Sequence, residues 1–378
     1  MGKRDEESKT VVWLILGAVG LLRSLTLAAA LAGKQFLPFK FSFPFDEAVM
    51  SRYSFLAWPW ANFDGFHYLT IAKDGYIFGQ IQAYFPFYSL VVRQVSRLIG
   101  DYLLSGLLVS HLAFMGALFV GYRLIRLDYS NQVVRKTLLA LSLFPTAFFF
   151  LSFYTESLFL LLIFLTFYWW RKGKTWAAGI AGACAAATRV VGIFLVPALL
   201  YEVWQAKGRS FKTVGAALMP SLGLLGYMGY LQGKFGDFLL FTQVQAGFGA
   251  GRTTDKLVLL YQVFWRYGKM ILTVDPGNLI YFTLWLELLT AVAFLGLLVI
   301  TWRRGVRKSF LIFSVLAYIL PTLTGTFSSM PRYVLVLFPA FIVLGQVKHK
   351  RLFRWWLVVS IVLLVVSAAL FTRGYWVA

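Results

Sequence analysis

Apolar positions in this chain come in long, nearly unbroken blocks, at about 11–32, 102–122, 137–154, 156–170, 213–232, 279–302, 309–325, 332–347 and 353–372. A bilayer core of about 30 Å takes roughly twenty helical residues to cross. Several blocks reach that length, and the shorter ones need tilt, local thinning or partners. The stretch 176–201 is long for one pass, rich in Gly and Ala, and carries Arg189 at its middle and Pro197 near its end. It reads as two segments, about 176–187 and 190–201, meeting near Arg189. Broken backbone survives at membrane depth where protein or a water-filled cavity covers it. The pattern predicts an all-α, polytopic membrane helix bundle of about eleven spans, a single domain over residues 1–378.

Composition agrees with this. Sixty per cent of the 378 residues are apolar and 13% are charged, against about 25% charged in a soluble domain. The net charge of +21 would suggest nucleic acid in a soluble chain, yet no basic face or binding motif is present. With the N-terminus in the cytoplasm, the N-terminal tail and the short inner loops 123–136, 171–174, 207–212, 303–308 and 348–354 hold 21 of the 36 Lys and Arg residues. That is the positive-inside pattern, and it sets these clusters against anionic lipid head groups. The C-terminus then lies outside. The start of the chain is similar to a signal sequence, with Ala30-Leu31-Ala32 as small residues for cleavage. The length of the apolar run and the acidic Asp5, Glu6 and Glu7 favour an uncleaved first span. Two outer segments, 33–101 and 233–277, are too long to be mere connectors and are rich in aromatics that suit helices lying along the interface. Cys184 has no second cysteine to pair with. No G-x-x-x-x-G-K-[ST] loop is present for a nucleotide.

The chemistry concentrates in a few places. Asp64 stands among aromatics in Trp60-Ala-Asn-Phe-Asp-Gly-Phe-His67. A carboxylate there suits a general base, although Asn62-Phe63-Asp64-Gly65 is also good turn chemistry. His67 shares a face with Asp64 if the segment is helical. Asp46 and Glu47 form a rival acid pair after the aromatic run Phe39–Phe45. Glu156 opens an apolar block, where a carboxylate complements the helix dipole. Arg189, at the proposed break, and Arg332, at the outer start of a span, are charges that are costly wherever they are buried, which favours a functional role. The plain alternative for each is snorkelling. Arg23 and Glu287 also fall inside spans and take no role from sequence alone. Gln243, Gln245 and Arg252, with Gly247, Gly249 and Gly251, read either as a flexible lid or as a surface loop.

Four blocks stand in order along the chain: Phe63-Asp64 with Tyr68-Leu-Thr-Ile-Ala-Lys-Asp-Gly-Tyr76 and Tyr84-Phe-Pro-Phe-Tyr-Ser89 followed by Arg93; Leu143 to Phe159; Ala185-Ala-Ala-Thr-Arg-Val-Val-Gly192; and Pro331-Arg-Tyr-Val-Leu-Val-Leu-Phe-Pro339. Together they resemble the PIG-V family of membrane mannosyltransferases, within the GT-C superfamily. Asn62, Phe63 and Ser89 depart from the family's Arg, Trp and Pro. The resemblance implies a GT-C-like fold with an essential acid in the first outer loop. It also implies transfer of a sugar, mannose in this family, from a polyprenyl- or dolichyl-phosphate donor to a glycan, glycolipid or protein acceptor. Asp64 would be the catalytic base of an inverting transfer, Arg332 and Arg189 the donor-phosphate ligands, and His67, Glu156, Tyr76 and Tyr84 the substrate contacts. No cofactor and no metal-ligand cluster are expected, although Asp64 with Glu156 leaves room for a divalent ion held through water. The setting would be the plasma membrane in a prokaryote and the endoplasmic reticulum in a eukaryote. A transporter or flippase of lipid-linked sugars is the alternative, and related halves would mark it. A non-enzymatic scaffold is a third, and it needs no convergence of acid and arginines.

Overall fold

The computed structural model describes residues 2–41, 46–206, 210–248, 252 and 258–378. It is 78% helical, with no strand among the described residues. Helix α1 (Gly2–Phe36) leads into a long connecting segment holding α2 (Asp46–Arg52), α3 (Asp64–Lys73) and α4 (Pro86–Ile99). The central helices are α5 (Tyr102–Ile125), α6 (Asn131–Ser142), α7 (Glu156–Arg171), α8 (Thr175–Thr188), α9 (Leu195–Gln205), α10 (Phe211–Leu218) and α11 (Pro220–Phe235). A second long segment holds α12 (Leu240–Gln243) and α13 (Leu260–Thr273). The chain ends with α14 (Ile280–Arg303), α15 (Lys308–Thr322), α16 (Met330–Tyr333), α17 (Phe338–Gly345) and α18 (Lys350–Thr372).

Four helical stretches are long and apolar enough to cross a membrane: Thr10–Phe36, Tyr102–Ile125, Ile280–Arg303 and Lys350–Thr372. The pair α10 and α11, bent by 45° where Pro220 opens α11, makes a fifth if taken as one broken span. Other apolar blocks are divided among shorter pieces. Block 137–154 holds the end of α6 and a 3-10 turn at Ala147–Leu151, and block 332–347 holds the last half of α16, a 3-10 turn and α17. Length alone therefore does not count them as crossings. The break expected near Arg189 is present. Arg189 is extended, with φ −151° and ψ 140°, between α8 and a 3-10 turn at Val190–Phe194.

The Gly/Ala richness of α8 has a packing reason. A Cβ on Gly223 of α11 would sit 2.0 Å from the Ala183 carbonyl oxygen, so only glycine lets the two backbones meet. Such small-residue seams are common where lipid gives helices no hydrophobic drive to associate. In α5, Gly106 likewise makes room for the Phe153 ring, 2.0 Å from where its Cβ would be. Phe153 and Tyr154 in turn dock the connecting segment. The Phe153 N–H donates to the Trp60 carbonyl at 2.9 Å, and the Tyr154 hydroxyl to the Asn62 carbonyl at 2.6 Å. These bonds bring the start of α3 against the start of α7.

Candidate active site

Two helix starts, a helix break and one short helix deliver four charges to one place. Asp64 is the first residue of α3 and Glu156 the first of α7. A carboxylate in a first turn is favoured by roughly 0.3–1 kcal/mol through the unpaired N–H groups there. Arg332 comes from the short α16, and Arg189 from the break after α8. Arg332 Nη1 lies 2.6 Å from Asp64 Oδ2, and its Nε lies 3.4 Å from Glu156 Oε1. Arg189 Nη1 donates to the same Glu156 oxygen at 2.5 Å. Arg332 thus bridges the two carboxylates, at the position where the sequence left room for an ion. Among the described residues, no three His, Cys, Asp or Glu side chains come together to hold a metal.

The backbone at Asp64 is strained. Phe63 has φ 56° and ψ −123°, a region that side chains with a Cβ rarely occupy. Its ring is held against Phe371 and Trp376, at 5.6 and 5.2 Å. Asn62, one of the departures from the family pattern, donates from Nδ2 to the Phe371 carbonyl at 3.0 Å. It fixes the entry to α3 from α18. The far end of α3 is capped by Arg93, which donates to the carbonyls of Ala72 and Ile71 at 2.7 and 2.9 Å. Ser89, the third departure, donates to the Tyr68 carbonyl at 2.9 Å.

Asp64 opens on a cavity of about 1090 Å³. Asp64, His67, Tyr84, Arg189 and Arg332 all line it. Its lining is of two kinds. Gln80, His67, Gln245 and Arg252 are among the polar lining residues, and Ala317, Leu320, Pro321 and Val336 among the apolar ones. Two expected substrate contacts are placed elsewhere. Glu156, 1% exposed, sits behind the arginines and does not line the cavity, because both guanidiniums lie between it and the open space. Tyr76 is turned inward, and its hydroxyl donates to the Tyr84 carbonyl at 2.6 Å. Tyr84 itself faces the acid, donating to Asp64 Oδ1 at 2.9 Å. The rival acid Glu47 is exposed and outside the cavity lining; the Asp46 side chain and residues 42–45 of the aromatic run lie outside the described residues.

Electrostatics sets the protonation states. Burial pushes the Asp64 carboxyl up, but the charge and hydrogen bond of Arg332 outweigh it, with help from His67 and Tyr84. The net result holds Asp64 below the ordinary carboxylate value. Burial lowers the His67 imidazole below its ordinary value, against the pull of Asp64, so it is neutral near pH 7. Burial and then the Asp64 charge raise the Tyr84 phenol well above its usual value, keeping it a donor.

Phe248, Trp376 and Tyr333 also line the cavity, and sequence reasoning did not single them out. Phe248 packs 6.2 Å from the His67 ring and 5.6 Å from Tyr84. It comes from the second long segment, in which Gln245, Gly247 and Arg252, read as part of a lid or of a surface loop, border the cavity, whereas Gln243 donates to Asp237 and is outside the lining; Gly249 and Gly251 lie outside the described residues. The aromatic richness of that segment was the available signal.

Residues 20–214 match the family described as Mannosyltransferase (PIG-V). Over 184 residues the chain is 31% identical to GPI alpha-1,6-mannosyltransferase 2 of Rattus norvegicus, a match covering 45% of this chain and 36% of that protein. The matched region is thus little more than a third of the length of the curated relative. The apo oligosaccharyltransferase of Archaeoglobus fulgidus superposes with a TM-score of 0.51 at 10% identity, over 97% of this chain and 56% of that one. The likeness at that identity is one of fold, and it places the helices in an oligosaccharyltransferase-like arrangement.

Proposed function

The chain belongs to the PIG-V mannosyltransferase family, and on that premise we propose that it transfers a hexose, mannose by family, from a polyprenyl- or dolichyl-phosphate donor to an acceptor hydroxyl. The observation that carries this reading is the contact of Asp64 with Arg332, 2.6 Å apart on the wall of one cavity that Arg189 also lines. A scaffold has no use for that convergence. Asp64 and Glu156 against Arg189, Arg332 and Arg252 leave one positive charge in excess, which suits the single negative charge of a sugar–lipid phosphodiester. The apolar lining residues Ala317, Leu320, Pro321 and Leu323 suit the lipid, and the polar His67 and Gln80 suit a sugar.

In the proposed step, the acceptor oxygen attacks the anomeric carbon on the face opposite the phosphate. Its proton passes to Asp64. The bond from the anomeric carbon to the phosphate oxygen breaks, and that electron pair leaves with the lipid phosphate. A phosphate leaves readily without a proton, so the hydroxyl is the partner that needs a base. Arg332 and Arg189 would meet the charge developing on the phosphate. The tight hold of Arg332 makes Asp64 a weaker base than a free carboxylate, but keeps it ionised and aimed. The reaction would occur on the non-cytoplasmic side, with the N-terminus inside, the C-terminus outside and about eleven passes between.

The test is a transfer assay with purified protein in lipid, offering polyprenyl-phosphate mannose and glucose with and without chelator. Formation of an inverted glycoside from one of these donors is expected. If no sugar moves from any of them, and the donors are instead carried across intact, the transporter reading takes its place.

A further inference from the structure

Glu287 lies in the first half of α14, an apolar helix long enough to span a membrane, and is 3% exposed. A carboxylate there is costly and asks for a role. The reading of the cavity as a sugar-transfer site leaves it unused, and it does not line the cavity. Both of its oxygens are engaged. Oε2 accepts from the Tyr267 hydroxyl of α13 at 2.5 Å, and Oε1 accepts from the Ser329 backbone N–H at 3.1 Å.

Ser329 is the residue that launches α16. It has φ 68° and ψ 7°, a left-handed conformation unusual for a residue with a Cβ. Its carbonyl accepts from the backbone N–H groups of Arg332 and Tyr333, both at 3.0 Å. The preceding residues are held from the same side. Arg266 of α13 donates to the Gly325 carbonyl at 3.0 Å, Val258 N–H donates to the Leu323 carbonyl at 3.1 Å, and the Phe327 ring packs 5.0 Å from Tyr267. On the other side, Thr146 donates to the Pro331 carbonyl at 2.5 Å.

We propose that Glu287 is the positioning residue for Arg332: it pins the strained Ser329 turn and so aims the guanidinium at Asp64 and at the donor phosphate. This rests on the proposed function of the cavity. The second long segment contributes through Tyr267, so α13 and the arginine form one unit. Glu287 touches neither substrate nor Asp64, and acts only through the backbone of α16.

The test compares Glu287→Leu with Glu287→Gln, whose amide oxygen still accepts from Ser329 N–H. In Glu287→Leu a loosened Arg332 raises the donor KM and lowers kcat/KM by roughly tenfold to a hundredfold, as small displacements of a reacting group do. The acid limb of the pH–rate profile also moves upward, because Asp64 loses part of the interaction that depresses it. Glu287→Gln restores both. A role confined to folding would lower the amount of active protein and leave KM and the pH profile alone. If Glu287→Leu is not recovered folded, Tyr267→Phe removes one bond to the carboxylate and should move the same two readouts less far. Wild-type KM and profile in a folded Glu287→Leu or Tyr267→Phe protein overturn the inference. If the wild type itself transfers nothing, the functional reading falls, and binding of polyprenyl phosphate followed by thermal shift decides the inference. Weakening in Glu287→Leu but not in Glu287→Gln supports it, and equal binding refutes it.

Discussion

Arg332 is the residue on which the site's electrostatics turns. It holds Asp64 below the ordinary carboxylate value against the cost of burial. Arg332→Gln should therefore move the acid limb of the pH–rate profile upward and raise the donor KM. Arg332→Lys, which keeps charge but loses the planar fork, should fall between the two. The same shift enters stability. With a folded pKa below the unfolded value of about 3.9, the pair stabilises the fold above that value, and the contribution is lost as pH falls through the lower folded pKa. Acid unfolding followed by circular dichroism should begin at higher pH in Arg332→Gln than in the wild type. Asp64, Arg189 and Arg332 were legible in the sequence as charged residues in aromatic or apolar surroundings, Asp64 within the first outer segment and each arginine at the edge of an apolar stretch. Tyr76 and Glu156 were legible as motif members, but not their direction. Tyr76 turns inward to the Tyr84 carbonyl and Glu156 sits behind the arginines, and both depend on packing across distant segments. Glu287 was visible only as a cost without a partner, because its partners lie 20 and 42 positions away along the chain.

At the scale of elements, the site is a meeting of helix ends rather than of helix faces. The starts of α3 and α7, the break at Arg189 and the short α16 present their charges where backbone polar groups are already unpaired. The break at Arg189 could be read from an arginine amid an over-long Gly/Ala block. The division around 332–347 into α16, a 3-10 turn and α17 was not read, although Pro339, in the first turn of α17, marks where that helix starts. The close seam between α8 and α11 gives a prediction of its own. In Gly223→Ala the added Cβ would meet backbone, the Ala183 carbonyl, and cannot be relieved by a side-chain rotation. Overpacking of this kind costs about 1–3 kcal/mol, so the variant should melt at lower temperature in detergent. Gly226→Ala on the same helix has nothing within 4 Å of its Cβ and should melt like the wild type.

Across the whole molecule, one cavity joins the two long segments to the helical body. The first segment supplies the acid, the second supplies Phe248 and the α13 brace, and the body supplies both arginines. Hydropathy and the clustering of basic residues made the membrane class and helical fold plain from sequence. The number of crossings was not plain, because block length alone does not show where a helix breaks. The proposed orientation predicts that a reporter at the C-terminus is reached from outside intact cells, while one in the loop 123–136 is reached only after permeabilisation. The account rests most heavily on Asp64 acting as the base, and the direct measurement is single-turnover sugar transfer from polyprenyl-phosphate mannose by Asp64→Asn. The amide keeps the size of the side chain and removes its basicity. The account predicts a loss of about 10²–10⁴-fold in the rate of transfer, with donor still bound and the melting profile retained. Transfer at the wild-type rate in a folded Asp64→Asn protein would contradict it.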